Sequence, residues 1–121
     1  MSISKALVIL LLITFASSSR AEWNTTAVAT IDGYTSETYF GKSVAMTDNY
    51  AIVGADGANK AFIFAISNGV WNTTAVATID GYISEGQFGQ SVAMTDNYAI
   101  VGASGAKKAF IFAISNGVWN T

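Results

Sequence analysis

Apolar positions in this chain come in short runs of four to six residues, each closed by Gly, Asn or Asp. The clearest is Ala61-Phe62-Ile63-Phe64-Ala65-Ile66. Alternate residues of a strand point to opposite faces, so Ala61, Ile63 and Ala65 share one face and Phe62, Phe64 and Ile66 the other. Both faces are apolar, one small and flat and the other bulky, and both demand burial. Similar runs at residues 26–31, 43–46 and 51–54 predict three further strands. Turn signals separate them at Asp32-Gly33, Asp48-Asn49, Asp56-Gly57-Ala58-Asn59 and Asn68-Gly69. Asn, Asp and Gly tolerate the positive φ of hairpin reversals, so neighbouring strands are expected to pair antiparallel. No helical stripe appears after residue 21.

The whole pattern recurs 48 residues on. Trp23, Trp71 and Trp119 mark the period, and residues 23–70 and 71–118 differ at only six positions. These are Thr35/Ile83, Thr38/Gly86, Tyr39/Gln87, Lys42/Gln90, Asp56/Ser104 and Asn59/Lys107. They form two clusters in sequence, and every apolar run is unchanged, as expected of a buried core with exposed connections. A four-stranded sheet buried on both sides and repeated in tandem is what a β-propeller blade requires, since neighbouring blades cover its faces. The period agrees, because propeller repeats run to about 40–50 residues. The predicted fold class is therefore all-β: two tandem four-stranded antiparallel blades, an incomplete ring.

The first 21 residues stand apart from this pattern. Lys5, an uncharged apolar core from Ala6 to Phe15, and Ser19-Arg20-Ala21 have the layout of a secretory signal peptide. Ten apolar residues are short of the roughly 20 that span a bilayer as a helix, so no membrane span is expected after signal cleavage. Without residues 1–21 the chain holds four lysines against eight acids. That balance offers no basic stripe for nucleic acid. The absence of Cys and His excludes Cys/His zinc sites, disulfides and His-dependent nucleophilic triads. An exported chain of this kind is held together by packing alone. Export also gives meaning to the sequons at Asn24 and Asn72, the glycosylation candidates.

Phe40-Gly41-Lys42-Ser43-Val44-Ala45-Met46, then Ile52-Val53-Gly54-Ala55, Ala61-Phe62-Ile63-Phe64 and a closing Trp71 resemble one FG-GAP repeat of the integrin-α-like β-propellers. Phe88-Gly89-Gln90-Ser91-Val92-Ala93-Met94, Ile100-Val101-Gly102-Ala103, Ala109-Phe110-Ile111-Phe112 and Trp119 resemble a second. In this reading Phe40 and Phe88 anchor the core. Gly41, Gly54, Gly89 and Gly102 permit close backbone approach or bulges, and Ala55 and Ala103 complete the motif. The chain departs from the family in one respect. The resemblance implies a candidate Ca²⁺ site, since many members bind Ca²⁺ through an acidic loop between the Ser-Val-Ala strand and the Val-Gly-Ala strand. Here that connection is only Thr47-Asp48-Asn49-Tyr50, or Thr95-Asp96-Asn97-Tyr98, with one carboxylate each. Calcium takes about six to eight oxygen ligands, several of them carboxylates, so no metal and no cofactor is expected. Asp56-Gly57-Ala58-Asn59 reads as a structural turn, because its copy has lost the acid.

The family's propellers close as rings of several blades. In family register, residues 40–79 make one complete blade, residues 88–118 supply three strands, and residues 23–31 are a spare fourth strand. Two explanations fit: a fragment of a longer array, or chains assembling head to tail as a homo-oligomer, each N-terminal strand completing a neighbour's last blade. Functionally, the resemblance implies a secreted or cell-surface binding module for an extracellular protein or glycan partner. The contact candidates are loop residues Glu37, Tyr39, Lys42 and Asp56, with Glu85, Gln87, Gln90 and Lys107. The alternative is the non-catalytic portion of a glycan- or lipid-acting hydrolase. No catalytic residue is assigned: the pairs Asp32/Glu37 and Asp80/Glu85 lie in polar loops with nothing to raise a carboxylate pKa. The three Trp residues are read as blade packing rather than a sugar platform.

Overall fold

A computed structural model describes residues 22–33, 38–81 and 86–121. The signal-peptide segment and the loop residues Glu37 and Glu85 lie outside these. The first blade comprises β1 (Phe40–Met46), β2 (Tyr50–Ala55), β3 (Lys60–Ser67), β4 (Val70–Trp71) and β5 (Ala77–Asp80). The second comprises β6 (Phe88–Met94), β7 (Tyr98–Ala103), β8 (Lys108–Ser115) and β9 (Val118–Trp119). Strands pair antiparallel in the order β1-β2-β3, with β4 and β5 both on the outer edge of β3; the second sheet runs β6-β7-β8-β9. These are the two blades that the repeat predicts.

Local chemistry sets the register. Asn68 and Gly69 both take positive φ, 50° and 77°, and Asn116 and Gly117 repeat this, the two-residue hairpin expected of Asn-Gly. Gly41, at φ 93°, sits in the bulge that shifts register between Phe40 and Ser43; Gly89 at 94° repeats it. Asp48-Asn49 turns by other means than expected. Neither residue has positive φ; instead Thr47 Oγ1 accepts the backbone N–H groups of Asn49 and Tyr50, each at 3.1 Å. A side-chain acceptor closes the reversal where left-handed backbone was predicted.

The two faces of each blade are distinct. Cross-strand pairs place Ala45, Ile52, Gly54, Ala61, Ile63 and Ile79 on the flat face of the first blade. Val44, Met46, Val53, Phe62 and Phe64 lie on its bulky face. The second blade lays its bulky face, through Phe88, Val92, Met94 and Val101, on the flat face of the first. Ile52, Ile63 and Ile79 are closed off in this interface, and each fully buried side chain of this size contributes roughly 2–3 kcal/mol. At the seam the Ser43 hydroxyl donates to the Gly89 carbonyl at 2.8 Å. A Cβ on Gly54 would strike that same carbonyl oxygen, and one on Gly89 would strike the Lys60 carbonyl. A second cluster, Val53, Ala55, Phe62 and Phe64 with Phe40 and Ile31, fills the bulky face of the first blade.

Two expectations for the N-terminal segment fail. Residues 26–31 form no strand, although their copy contributes β5. A strand needs an edge to pair with, and β5 already occupies the outer edge of β3. Trp23 is 96% exposed, whereas Trp119 is buried and Trp71 half-buried, so blade packing accounts for two of the three Trp residues.

Gly89→Ala is expected to cost about 2–4 kcal/mol, because strain at positive φ adds to a clash with the neighbouring blade's backbone. Gly69→Ala, also at positive φ but with open space around it, is expected to cost only about 1–2 kcal/mol. Urea unfolding of both variants measures the difference. Equal losses would mean that blade contact adds nothing.

Candidate binding surface at the variable end of the blades

The described positions at which the two copies differ are two clusters in sequence and one in space. The start of β1, with Thr38, Tyr39 and Lys42, and the β2–β3 connection, with Asp56 and Asn59, lie at the same end of the blade. There Phe40 pairs with Ala55 across the strands. Five of the six differing positions are described in both copies; Thr35 and Ile83 are not.

In the first copy, Lys42 Nζ donates to Asp56 Oδ2 at 3.0 Å and lies 5.5 Å from the centre of the Tyr39 ring. Asp56 is buried and its Oδ1 lacks a hydrogen-bond partner, so the Lys42 ammonium is what offsets burial of that carboxylate. In the second copy the Ser104 hydroxyl donates to Gln87 Oε1 at 2.7 Å, an exposed neutral contact in place of an ion pair. The acid and its lysine are replaced together, and the new hydroxyl bonds Gln87, the counterpart of Tyr39, rather than Gln90, the counterpart of Lys42. Each copy presents one aromatic or amide side chain outward at the same position. Tyr39 and Gln87 are both exposed and both take positive φ, 61° and 68°.

Asn59 and Lys107 end the 3-10 turns at residues Asp56–Ala58 and Ser104–Ala106, in left-handed conformation at φ 56° and 58°. Asn suits that backbone better than Lys does, and Lys107 holds an exposed side chain there. Gln90, the counterpart of Lys42, is half-buried. The contact candidates therefore split. Tyr39, Lys42, Gln87 and Lys107 face solvent, Asp56 is a buried partner of Lys42, and Glu37 and Glu85 fall outside the described residues.

The motif residues play structural parts. Phe40 packs on Phe62 and Phe64, and Phe88 on Phe110 and Phe112, with matching tilted and edge-on ring geometry. Ala55 and Ala103 are buried, and Gly102 is the counterpart of Gly54. Of the carboxylates considered as acid/base pairs, Asp80 lies in β5 and pairs with Lys60 at 3.0 Å, and Asp32 is exposed. Among the described residues no three Asp or Glu side chains gather as metal ligands would. Both sequon asparagines are exposed, and each Oδ1 accepts the backbone N–H two residues on, Asn24 from Thr26 at 3.0 Å and Asn72 from Thr74 at 2.9 Å. Two contacts between blades escaped sequence reading. Asn49 Nδ2 donates to Asp96 Oδ2 at 2.9 Å, and Tyr50 meets Trp119 edge-on at 5.4 Å. Both join unlike positions of the two repeats, so neither is visible until the blades are stacked.

Lys42→Gln alone is expected to destabilise the chain by about 1–2 kcal/mol, by leaving Asp56 without its cation. Adding Asp56→Ser, the combination the second copy carries, is expected to recover most of the loss. Thermal unfolding of the single and double variants tests the coupling, and additive losses would contradict it.

The FG-GAP repeat family model matches residues 23–67 and again 71–114. Among solved structures, the crystal structure of the computationally designed Ika4 protein is similar at 14% sequence identity with a TM-score of 0.56. The alignment covers 79% of this chain and 52% of that one, so the chain spans about half the length of its structural relative. No curated protein matches in sequence. Two family-model matches that together cover most of the chain, on two stacked antiparallel blades, make this protein a member of the FG-GAP repeat family.

Proposed function

We propose that this chain is a secreted or cell-surface binding module that recognises an extracellular protein or glycan through the variable end of its blades. The observation that carries this reading is spatial: the described differences between two otherwise identical copies converge on one end, where Tyr39, Lys42, Gln87 and Lys107 are solvent-facing. Diversity at exposed loop ends over an invariant core is how a rigid scaffold presents a recognition surface. Aromatic, amide and ammonium groups side by side suit hydrogen bonding to polar partners and stacking on sugar rings. Export through the N-terminal leader, and glycosylation at Asn24 and Asn72, belong to the same proposal. No helix among the described residues is long and apolar enough to cross a membrane.

Exchanging residues 38–42 and 56–59 with residues 86–90 and 104–107 is expected to weaken retention of the labelled protein on cell surfaces while leaving its circular dichroism unchanged. Trypsin or glycosidase treatment of the cells distinguishes a protein partner from a glycan. Retention indifferent to the exchange would refute a role for this end. Expressed in a eukaryotic secretory host, the exported protein is expected to begin at Glu22 and to carry glycan mass removed by Asn24→Gln with Asn72→Gln. Intact-mass measurement reads both, and a retained Met1 would rule out leader cleavage.

A further inference from the structure

The flat face of the second blade is the same sequence as the flat face of the first, yet it is uncovered. Ile63 is fully buried in the first blade, whereas its counterpart Ile111 is 70% exposed; Ile52 is fully buried and Ile100 39% exposed. A trough of about 430 Å³ lies over this face, lined by Ala93, Ile100 and Ile111 among others. The opposite end of the chain shows the complementary deficit. Val92 and Met94 pack into the interface between the blades, but their counterparts on the first blade, Val44 and Met46, are 67% and 64% exposed. The two-blade stack therefore presents an open flat face on one side and, on the other, a bulky face left open at Val44 and Met46. These are the two halves of the interface it already makes once internally.

The N-terminal segment is placed accordingly. Ala29-Thr30-Ile31-Asp32 is identical to β5, Ala77-Thr78-Ile79-Asp80. Ile79 belongs to the cluster around Phe88, and Ile31 packs in the same way with Phe40, Phe62 and Phe64. Gly33 lies against the Phe40 side chain as Gly81 lies against Phe88. Residues 29–33 thus hold the position of the outermost strand of a preceding blade, with no sheet beside them. At the other end, β8 pairs with β9 only through Ile114 and Ser115. Its Ala109–Ile111 stretch, whose counterpart in β3 receives β5, borders no further strand among the described residues.

We propose that these open elements are an interaction surface for a second copy of this chain, stacked head to tail so that the first blade of one copy lies on the second blade of the other. Residues 29–32 of the incoming copy pair with β8 as β5 pairs with β3, and Val44 and Met46 close over Ile100 and Ile111. The polar contacts of the internal seam have their counterparts ready. Ser91 Oγ stands where it donates to the Gly41 carbonyl of the next copy, repeating Ser43 to Gly89. Asn97 faces Asp48 of the next copy as Asn49 faces Asp96, and Tyr98, exposed here, meets its Trp71 as Tyr50 meets Trp119. Because this contact joins two different surfaces, it repeats from copy to copy and closes as a ring with an even number of blades.

Native mass spectrometry of the mature chain is expected to show discrete multiples of the single-chain mass. Ile111→Asp is expected to return it to the single-chain mass with its strand circular dichroism intact. A wild-type chain that stays single across a wide concentration series overturns the proposal, as does an Ile111→Asp variant with unchanged assembly. A second measurement stands independently of that variant's folding. The chain has no cysteine, and Ala61 and Ile79 are Cα partners across β3 and β5. Mixing an Ala109→Cys chain with an Ile31→Cys chain under oxidising conditions is therefore expected to give a mixed disulfide dimer, and pairing Ala109→Cys with Thr30→Cys is not. No mixed disulfide, or equal yields from both pairings, refutes the strand pairing. Neither readout depends on the binding role of the variable end.

Discussion

The architecture depends on one contact, the laying of β6 across β1 and β2, because a blade apolar on both faces gains stability from each face that another blade covers. At this seam the backbone of Gly89 comes down onto Gly54 and Lys60 so closely that neither glycine has room for a side chain. The close approach does two things at once. It brings Phe88, Val92 and Met94 into van der Waals range of Ile52, Ile63 and Ile79, and it brings the Ser43 hydroxyl to the Gly89 carbonyl for a hydrogen bond between the blades. The bulge at Gly89 makes this geometry reachable, since it needs a left-handed residue where β6 leaves the loop. Packing energy, hydrogen bonding and strand irregularity thus converge on the Phe-Gly pair, which explains why that dipeptide opens each unit.

The same contact separates structural from presented residues. The apolar residues packed in the seam are identical between the copies. The described differences collect where β1 begins and β2 leaves. There the constraint is only that each local pair remain satisfied: an ion pair with a buried carboxylate in one copy, a hydroxyl with an amide in the other. A rigid core with interchangeable end chemistry is a sound basis for recognition, and it asks nothing of the side chains that catalysis or metal binding would require.

Strands, turns, repeat period and blade class were legible in the sequence because they rest on local rules. Alternation of side chains assigned Phe62 and Phe64 to one face and Ile63 to the other, and Asn68-Gly69 announced its hairpin through the φ angles those residues tolerate. The Thr47 turn was misread for a related reason: Asp48-Asn49 has the composition of a left-handed reversal, but the preceding hydroxyl closes the turn with the backbone in ordinary conformation. The candidate surface was legible only in part. The six differing positions could be counted, yet the meeting of the described five at one end, and the burial of Asp56 beneath Lys42, depend on the antiparallel return of β2 alongside β1.

Residues 29–32 and 77–80 mark the limit of what sequence decides. Identical strings carry identical propensities, and by themselves they determine that both can be strands with Ile on the apolar face. Only the tertiary structure makes one of them β5 and leaves the other without a sheet, because a strand exists through the hydrogen bonds of a neighbour and β3 has room for one partner at that level. Ile63 and Ile111 differ for the same reason. The sequence determined that both are core residues of a blade. Which of them is buried is decided by whether another blade lies on that face, a property of the assembled fold that no local pattern encodes.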